Sequence, residues 1–150
     1  MASVTQHVDV SVPVSVAYNQ WTQFEEFPRF MEGVKQVEQL DDKHLRWQAQ
    51  VAGKEEEWTS EITEQRPDER IAWRSTSGAK NAGVVTFHHL GDNKSRVTLQ
   101  LEYEPEGAAE KAGSAVGLVE RRTKGDLERF KEFIESRGRE TGAWRGTIQH

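Results

Sequence analysis

Apolar residues alternate with polar ones in short runs over the first two thirds of the chain. Over the last third they recur at helical spacing instead. Between residues 4 and 12, Val4, Val8, Val10 and Val12 are interleaved with His7, Asp9 and Ser11, which predicts a half-buried strand. Pro13 ends it and suits the first turn of a helix. Val16, Ala17, Asn19, Gln20 and Trp21 follow at helical spacing. Pro28 cannot continue a helix through Glu25 without losing a hydrogen bond, so the pattern predicts two short helices, 14–22 and 24–31, with a break near Phe24 and Pro28.

A run of strands follows Gly33. Val34, Val37 and Leu40 mark the first, and Asp41-Asp42-Lys43 turns the chain. From His44 to Val51, Leu45, Trp47, Ala49 and Val51 alternate with His44, Arg46, Gln48 and Gln50. After a turn at Ala52-Gly53-Lys54, residues 55–65 carry Trp58, Ser60 and Ile62 on one face and Glu57, Thr59, Glu61 and Thr63 on the other. Proline presets the bend at Arg66-Pro67-Asp68-Glu69. Ile71, Trp73 and Ser75 form the next inner face; Val85 with Phe87, then Val97, Leu99, Leu101 and Tyr103, complete the series before Pro105. Short turns between such strands argue an antiparallel meander.

From about residue 108 to 137 the period changes. Ala112, Ala115, Val116, Val119, Leu127, Phe130, Phe133 and Ile134 form one stripe of a long helix, and Gly138 is a natural stop. The stripe is small at Ala112, Gly113, Ala115 and Gly117 and bulky after Leu127. The order strand, two short helices, six strands, long helix predicts an α+β chain: a seven-stranded antiparallel sheet wrapped around one C-terminal helix, as a single domain over 1–138. The polar stretch 139–150, with Ala143, Trp144 and Ile148 as its apolar residues, reads as a flexible tail. Small side chains on the first half of the helix leave two outcomes open: a cavity against the sheet, or close helix–sheet packing.

Composition narrows the chemistry. Only 35% of the 150 residues are hydrophobic, and the mean hydropathy is −0.81, so the apolar residues need strict placement. A net charge of −5 disfavours nucleic acid as a partner. With no cysteine there is no disulfide, thiolate catalysis or Cys-ligated zinc. No signal peptide and no apolar run of membrane-spanning length is visible, so the expectation is a soluble, cytoplasmic protein without membrane insertion.

Four segments carry a family resemblance: "AYNQWTQFEEFPRFMEGV" (17–34), "WQAQVAGKEEEWTSEITEQRPDERIAWRS" (47–75), "GVVTFHHL" (83–90) and "GLVERRTKGDLERFKEFIESRG" (117–138). Together with the element order they resemble the START-like superfamily, also called the Bet v 1-like or SRPBCC group. Within it they are similar to the bacterial polyketide cyclase/dehydrase branch, which includes coenzyme Q-binding START proteins. The resemblance spans about residues 3–138. It implies a helix-grip fold with a hydrophobic tunnel between sheet and long helix that takes a lipid, a quinone or a polyketide-like molecule.

The candidate ligand-binding residues are Trp21, Phe24, Phe27, Phe30, Trp47, Trp58, Trp73, Phe87, Leu99, Tyr103, Val116 and Val119. Trp21, Phe24, Phe27, Phe30 and Met31 either plug one end of the core or gate a pocket. Trp47, Trp58 and Trp73 sit on the apolar faces of three consecutive strands, as an aromatic ladder that fills the core or as a flat wall for a planar ligand. Catalytic machinery is not evident. His88 and His89 are adjacent and face opposite sides of a strand, His7 with Asp9 makes a poor metal site, and no HExxH is present, so neither metal nor cofactor is expected. Glu57 and Glu61 fall on the solvent face with Arg46, Arg70 and Arg74, whereas Glu56 shares register with Trp58. Polar groups expected inside are Ser60, Ser75, Thr86 or Thr98, Tyr103, and Arg122 or Asp126 at the helix edge. The leading expectation is a protein that binds an apolar small molecule. A cyclase or dehydratase using the same cavity, and a filled-core stress-related or interaction protein, are the alternatives.

Overall fold

The structure, a computed structural model, describes the backbone of residues 2–51, 54–78, 80–103 and 112–148, and the side chains of residues 3–50, 55–78, 80–103 and 119–148. The elements are β1 (Ala2–Val10), α1 (Val14–Trp21), a 3-10 segment (Phe24–Arg29), β2 (Val34–Gln39), β3 (His44–Val51), β4 (Lys54–Arg66), β5 (Arg70–Gly78), β6 (Asn81–Gly91), β7 (Lys94–Tyr103) and α2 (Ala112–Arg137). Seven strands form one antiparallel sheet in the order β1-β7-β6-β5-β4-β3-β2. The meander from β2 to β7 is therefore closed by β1, which pairs with the last strand, while α1 and the 3-10 segment carry the chain across to β2. This is the helix-grip architecture expected from the element order. Among the described residues, no helix is long and apolar enough to cross a membrane.

The second short helix is a 3-10 turn, not an α-helix. Pro28 has no N–H to give to a helical ladder, and short i→i+3 bonds flank it, from Glu26 N–H to Gln23 O at 3.0 Å and from Phe30 N–H to Phe27 O at 3.1 Å. The beginning of the long helix at 108–111, the turn at 52–53 and Pro105 lie outside the described residues.

Two contacts set the direction of α2. The Gln6 amide donates to Glu120 at 3.4 Å, and the Ser11 N–H donates to Glu135 at 2.7 Å. The helix thus runs along β1, with its C-terminal half beside the closed end of the sheet. There Leu127, Phe130 and Ile134 are 0–1% exposed. They pack on the aromatic plug, where Phe130 lies 5.1 Å from Trp21 and 5.2 Å from Phe30, centroid to centroid. Eight residues at about 1.5 Å each place the helix start roughly 12 Å beyond the level of Gln6, in the direction away from Ser11.

Residues 139–148, expected to form a flexible tail, are tied to the domain at several points. Thr141 N–H donates to Gln20 Oε1 at 2.8 Å and Trp144 N–H donates to Thr22 Oγ1 at 3.1 Å. The Arg145 guanidinium reaches Asn19 and Asp68, at 2.6 and 2.9 Å, and lies 5.6 Å over the Tyr18 ring. Gln65 and Ile148 exchange two backbone hydrogen bonds, and the Ile148 side chain is buried. Periodicity does not reveal such a strap, because its backbone bonds to other elements and not to itself. Ile148→Ala is expected to lower stability by about 2 kcal/mol, mostly lost apolar burial. A urea midpoint that does not move on this substitution would mean that the strap is not part of the folded unit.

Candidate functional site

The inner face of the sheet changes character along its length. Across β5, β6 and β7, Ile71, Val85 and Leu99 stand in one row, with Phe87 and Val97 in the next. All five are buried, at 0–5% exposure. The neighbouring rows on the other side read Ile62, Trp73, Gly83, Leu101 and Val4, then Ser60, Ser75, Asn81 and Tyr103. Here Ile62, Val4 and Ser60 are buried, whereas Trp73, Leu101 and Tyr103 are half-buried, and so is Trp58 two residues further along β4. The filled half of the core therefore gives way to an apolar surface left partly uncovered.

Three local arrangements shape that surface. The Trp47 and Trp58 indoles stack at 5.7 Å and 10° between ring planes, and Trp47 Nε1 donates to the buried Ser60 hydroxyl at 2.9 Å. Trp73 does not continue this stack. β4 is bulged between Thr59 and Ser60 and again between Ile62 and Glu64, which brings Gly78 opposite Trp58 and sets Trp73 opposite Ile62. The aromatic ladder expected over three strands is thus a pair plus one separate indole. The third arrangement is that indole lying across Gly83: a Cβ there would stand 2.5, 2.8 and 3.0 Å from Cζ2, Cε2 and Cη2 of Trp73.

Two polar atoms on this surface are buried without a hydrogen-bond partner among the described residues, Trp58 Nε1 and the Tyr103 hydroxyl. Burial pushes the Tyr103 phenol above its ordinary value, so it stays a neutral O–H at physiological pH. An unpaired buried polar group costs about 1–3 kcal/mol, which a ligand acceptor or an ordered water recovers.

A clasp marks the boundary between the two halves of α2. Asp126 accepts from the Glu32 N–H at 3.0 Å and from Arg129 at 2.5 Å, while Arg129 Nε donates to Phe30 O at 2.9 Å. One turn earlier, Arg122 donates to Gln50 O at 2.5 Å. Gly33, at φ +90°, fits beneath this crossing, where a Cβ would meet Gln50 O at 2.7 Å. Burial raises the Asp126 carboxyl to about 6 even though Arg129 and Arg122 both favour its charged form.

The sequence-proposed residues separate by level. Trp21, Phe24, Phe27 and Phe30 are all 4% exposed or less and form the plug; Phe87 and Leu99 belong to the filled rows. Trp58, Trp73 and Tyr103 share the partly uncovered surface, with Trp47 stacked at its margin and Val119 half-buried on the helix side. Val116 falls on α2, but its side chain, like those of Ala112, Gly113, Ala115 and Gly117, lies outside the described residues. Sequence reasoning missed two members. Leu101 was legible from its spacing between Leu99 and Tyr103, but Gly83 carries no signal in the pattern. His89 shares the inner register through its pairing with Ser95, yet it is exposed at the end of β6. Arg46 and Arg74 face outward, each paired with a carboxylate, Glu57 and Glu61. Among the described residues no group of three His, Asp or Glu is placed to hold a metal.

Two shallow concavities elsewhere have polar walls. One, of about 180 Å³, is lined by Gln36, Glu38, Arg46 and Gln48; the other, of about 290 Å³, by Lys35, Gln48, Ala49, Glu55, Glu56 and Glu57. Neither offers an apolar wall for a small molecule.

Comparison with known proteins bears on this layout. Residues 10–132 match the family described as polyketide cyclase / dehydrase and lipid transport. The chain belongs to this family. A relative, the uncharacterized 17.2 kDa protein of the melC2-rnhH intergenic region of Streptomyces lincolnensis, is 54% identical over 149 residues, 99% of each chain. The Zhui aromatase/cyclase of Streptomyces sp. R1128 superimposes with a TM-score of 0.76 at 19% identity, covering 95% of this chain and 99% of that one. A START superfamily protein of Mycobacterium smegmatis does so with 0.68 at 16% identity, covering 90% and 95%. At such identities the two structures establish the START-like fold of this family member and nothing about its chemistry.

Proposed function

We propose that this protein binds one apolar or amphipathic small molecule, a lipid, quinone or polyketide-like compound, between the Trp58–Trp73–Leu101–Tyr103 surface and the first half of α2. The observation that carries the reading is the change from fully buried to half-buried apolar residues along one continuous sheet face. Monomeric proteins seldom leave tryptophans and a leucine partly uncovered side by side without a ligand or partner to cover them. The unpartnered Trp58 N–H and Tyr103 O–H support a ligand with at least one oxygen acceptor. In this reading Trp47, Trp58, Trp73, Tyr103, Val116 and Val119 touch the ligand. Trp21, Phe24, Phe27, Phe30, Phe87 and Leu99 form the base beneath it. The resemblance to lipid-transport and cyclase proteins agrees with such a role, and a cytoplasmic carrier or sensor is the setting proposed for it.

Binding is preferred to catalysis on chemical grounds. The polar groups named on this surface are hydroxyls and indole N–H groups, which orient a ligand but do not move protons near neutral pH. The carboxylate with a raised pKa, Asp126, is held by Glu32 and Arg129 in the clasp.

Native mass spectrometry of the purified protein, with denaturing extraction of the same sample, tests the proposal. A discrete added mass released on unfolding is expected. A clean mass, together with no displaceable binding of an apolar dye, would leave the filled-core account in its place.

A further inference from the structure

Trp73 and Gly83 are cross-strand partners, and their packing says something about what the site accepts. The three indole atoms nearest the Gly83 Cβ position are consecutive in the six-membered ring, at 2.5, 2.8 and 3.0 Å. That spread is too small for an edge-on approach, where the flanking atoms would recede. The indole lies face-down on the glycine. One face is therefore spent on the β6 backbone, and the other faces away from the sheet. Along the inner face of β6 the side chains shrink from Phe87 through Val85 to none at Gly83, in the row where Trp73 and Leu101 are half-buried. The vacant glycine position is filled by the ring from β5, laid flat.

Resting on the ligand site proposed above, we infer that Gly83 is its specificity-determining position: by letting Trp73 lie flat it sets the depth between sheet and helix, and it selects rigid ring systems over thin alkyl chains. Any side chain at position 83 must lift the indole off the sheet, because the clash is with ring atoms at 3.0 Å or less and not with a flexible chain end. The lifted ring would occupy the space above it. A flat shelf of this kind also offers its whole face to a broad, rigid ligand, through apolar burial and close contact. A narrow alkyl chain gains less from the shelf and loses less when the shelf rises.

The competing account is that Gly83 serves only strand packing, since aromatic cover of a cross-strand glycine stabilises sheets on its own. Selectivity separates the two. Cholate, a rigid four-ring amphiphile, and myristate, a thin one, are titrated by calorimetry against the parent, Gly83→Ala, and the double variant Gly83→Ala with Trp73→Leu. The parent should favour cholate. Gly83→Ala should weaken cholate about tenfold and myristate by less than about twofold, where tenfold corresponds to about one good contact. Shrinking the indole in the double variant should return cholate binding to within about threefold of the parent. Circular dichroism confirms that each variant is folded, and the preference of the parent itself covers the case in which Gly83→Ala does not fold: the parent should bind cholate more tightly than myristate. Equal losses for both ligands in Gly83→Ala, no recovery in the double variant, or tighter binding of myristate than of cholate by the parent would overturn the inference while leaving the binding site in place. Absence of binding by either compound to the folded parent would remove the site itself, and the selectivity inference with it.

Discussion

Trp21→Ala is expected to lower the unfolding free energy by about 4 kcal/mol, the range for removing a large aromatic from a packed core. Trp21 is 1% exposed and is the hub of the plug, with ring centroids 5.1 Å from Phe130, 5.4 Å from Phe27, 6.2 Å from Phe30 and 6.4 Å from Phe87. These rings come from the 3-10 segment and the residue that caps it, from β6 and from α2, so the cavity would open where three elements meet. None of them can close it alone without breaking its other contacts. A domain of this size is stable by about 5–15 kcal/mol, so the variant would be marginal at 37 °C. Trp21→Phe should cost much less than the alanine change, because the ring contacts largely survive and the buried indole N–H, which has no partner among the described residues, disappears. Urea unfolding checks both. A loss below about 1 kcal/mol for Trp21→Ala would mean that the plug is not packed as described.

The second large effect is a pH dependence at Asp126. Its carboxyl is raised from an ordinary 3.8 to about 6 in the folded protein. The folded state therefore binds a proton more tightly than the unfolded chain. Stability from this group is gained as the pH falls from about 6 to about 4, and it is absent at pH 8. A shift of two pKa units corresponds to about 3 kcal/mol. Asparagine cannot ionise, and its amide oxygen still accepts from the Glu32 N–H. The stability of Asp126→Asn relative to the parent should thus fall by roughly 2–3 kcal/mol between pH 8 and pH 4. Taking the difference between the two proteins cancels the other carboxylates, among them Asp9, whose pKa is lowered chiefly by its hydrogen bond from Arg96. A difference that stays flat over this range, or rises on acidification, would show that the arginines and not burial govern Asp126.

Much of the architecture was legible because strands with one buried face impose strict alternation, and this chain has too few apolar residues to blur it. Element order, seven strands and one long helix followed from Val8, Val10, Leu45, Trp47, Val97, Leu99 and their polar neighbours. The plug was legible from the density of rings between Trp21 and Phe30. What escaped was set by relations between elements. Two bulges in β4 moved Trp58 and Trp73 apart, and nothing in the composition of residues 55–65 encodes a one-residue slip. The strap formed by residues 139–148 has no period, since its hydrogen bonds run to α1 and β4. The flat seat of Trp73 depends on a residue with no side chain on the adjacent strand. The site itself was half legible. Trp58, Trp73 and Tyr103 were named from their register, whereas the small residues of α2 that suggested a cavity fall outside the described side chains.

The near-parallel Trp47–Trp58 pair has a spectroscopic consequence. Two indoles this close share their electronic excitation, so the protein should display a split circular-dichroism band that no isolated tryptophan produces. That signal is a built-in optical gauge of β3–β4 geometry, needing no label. Loss of the couplet in Trp58→Phe assigns it. Its change on adding a compound then reports occupancy at the margin of the apolar surface directly, in the unmodified protein.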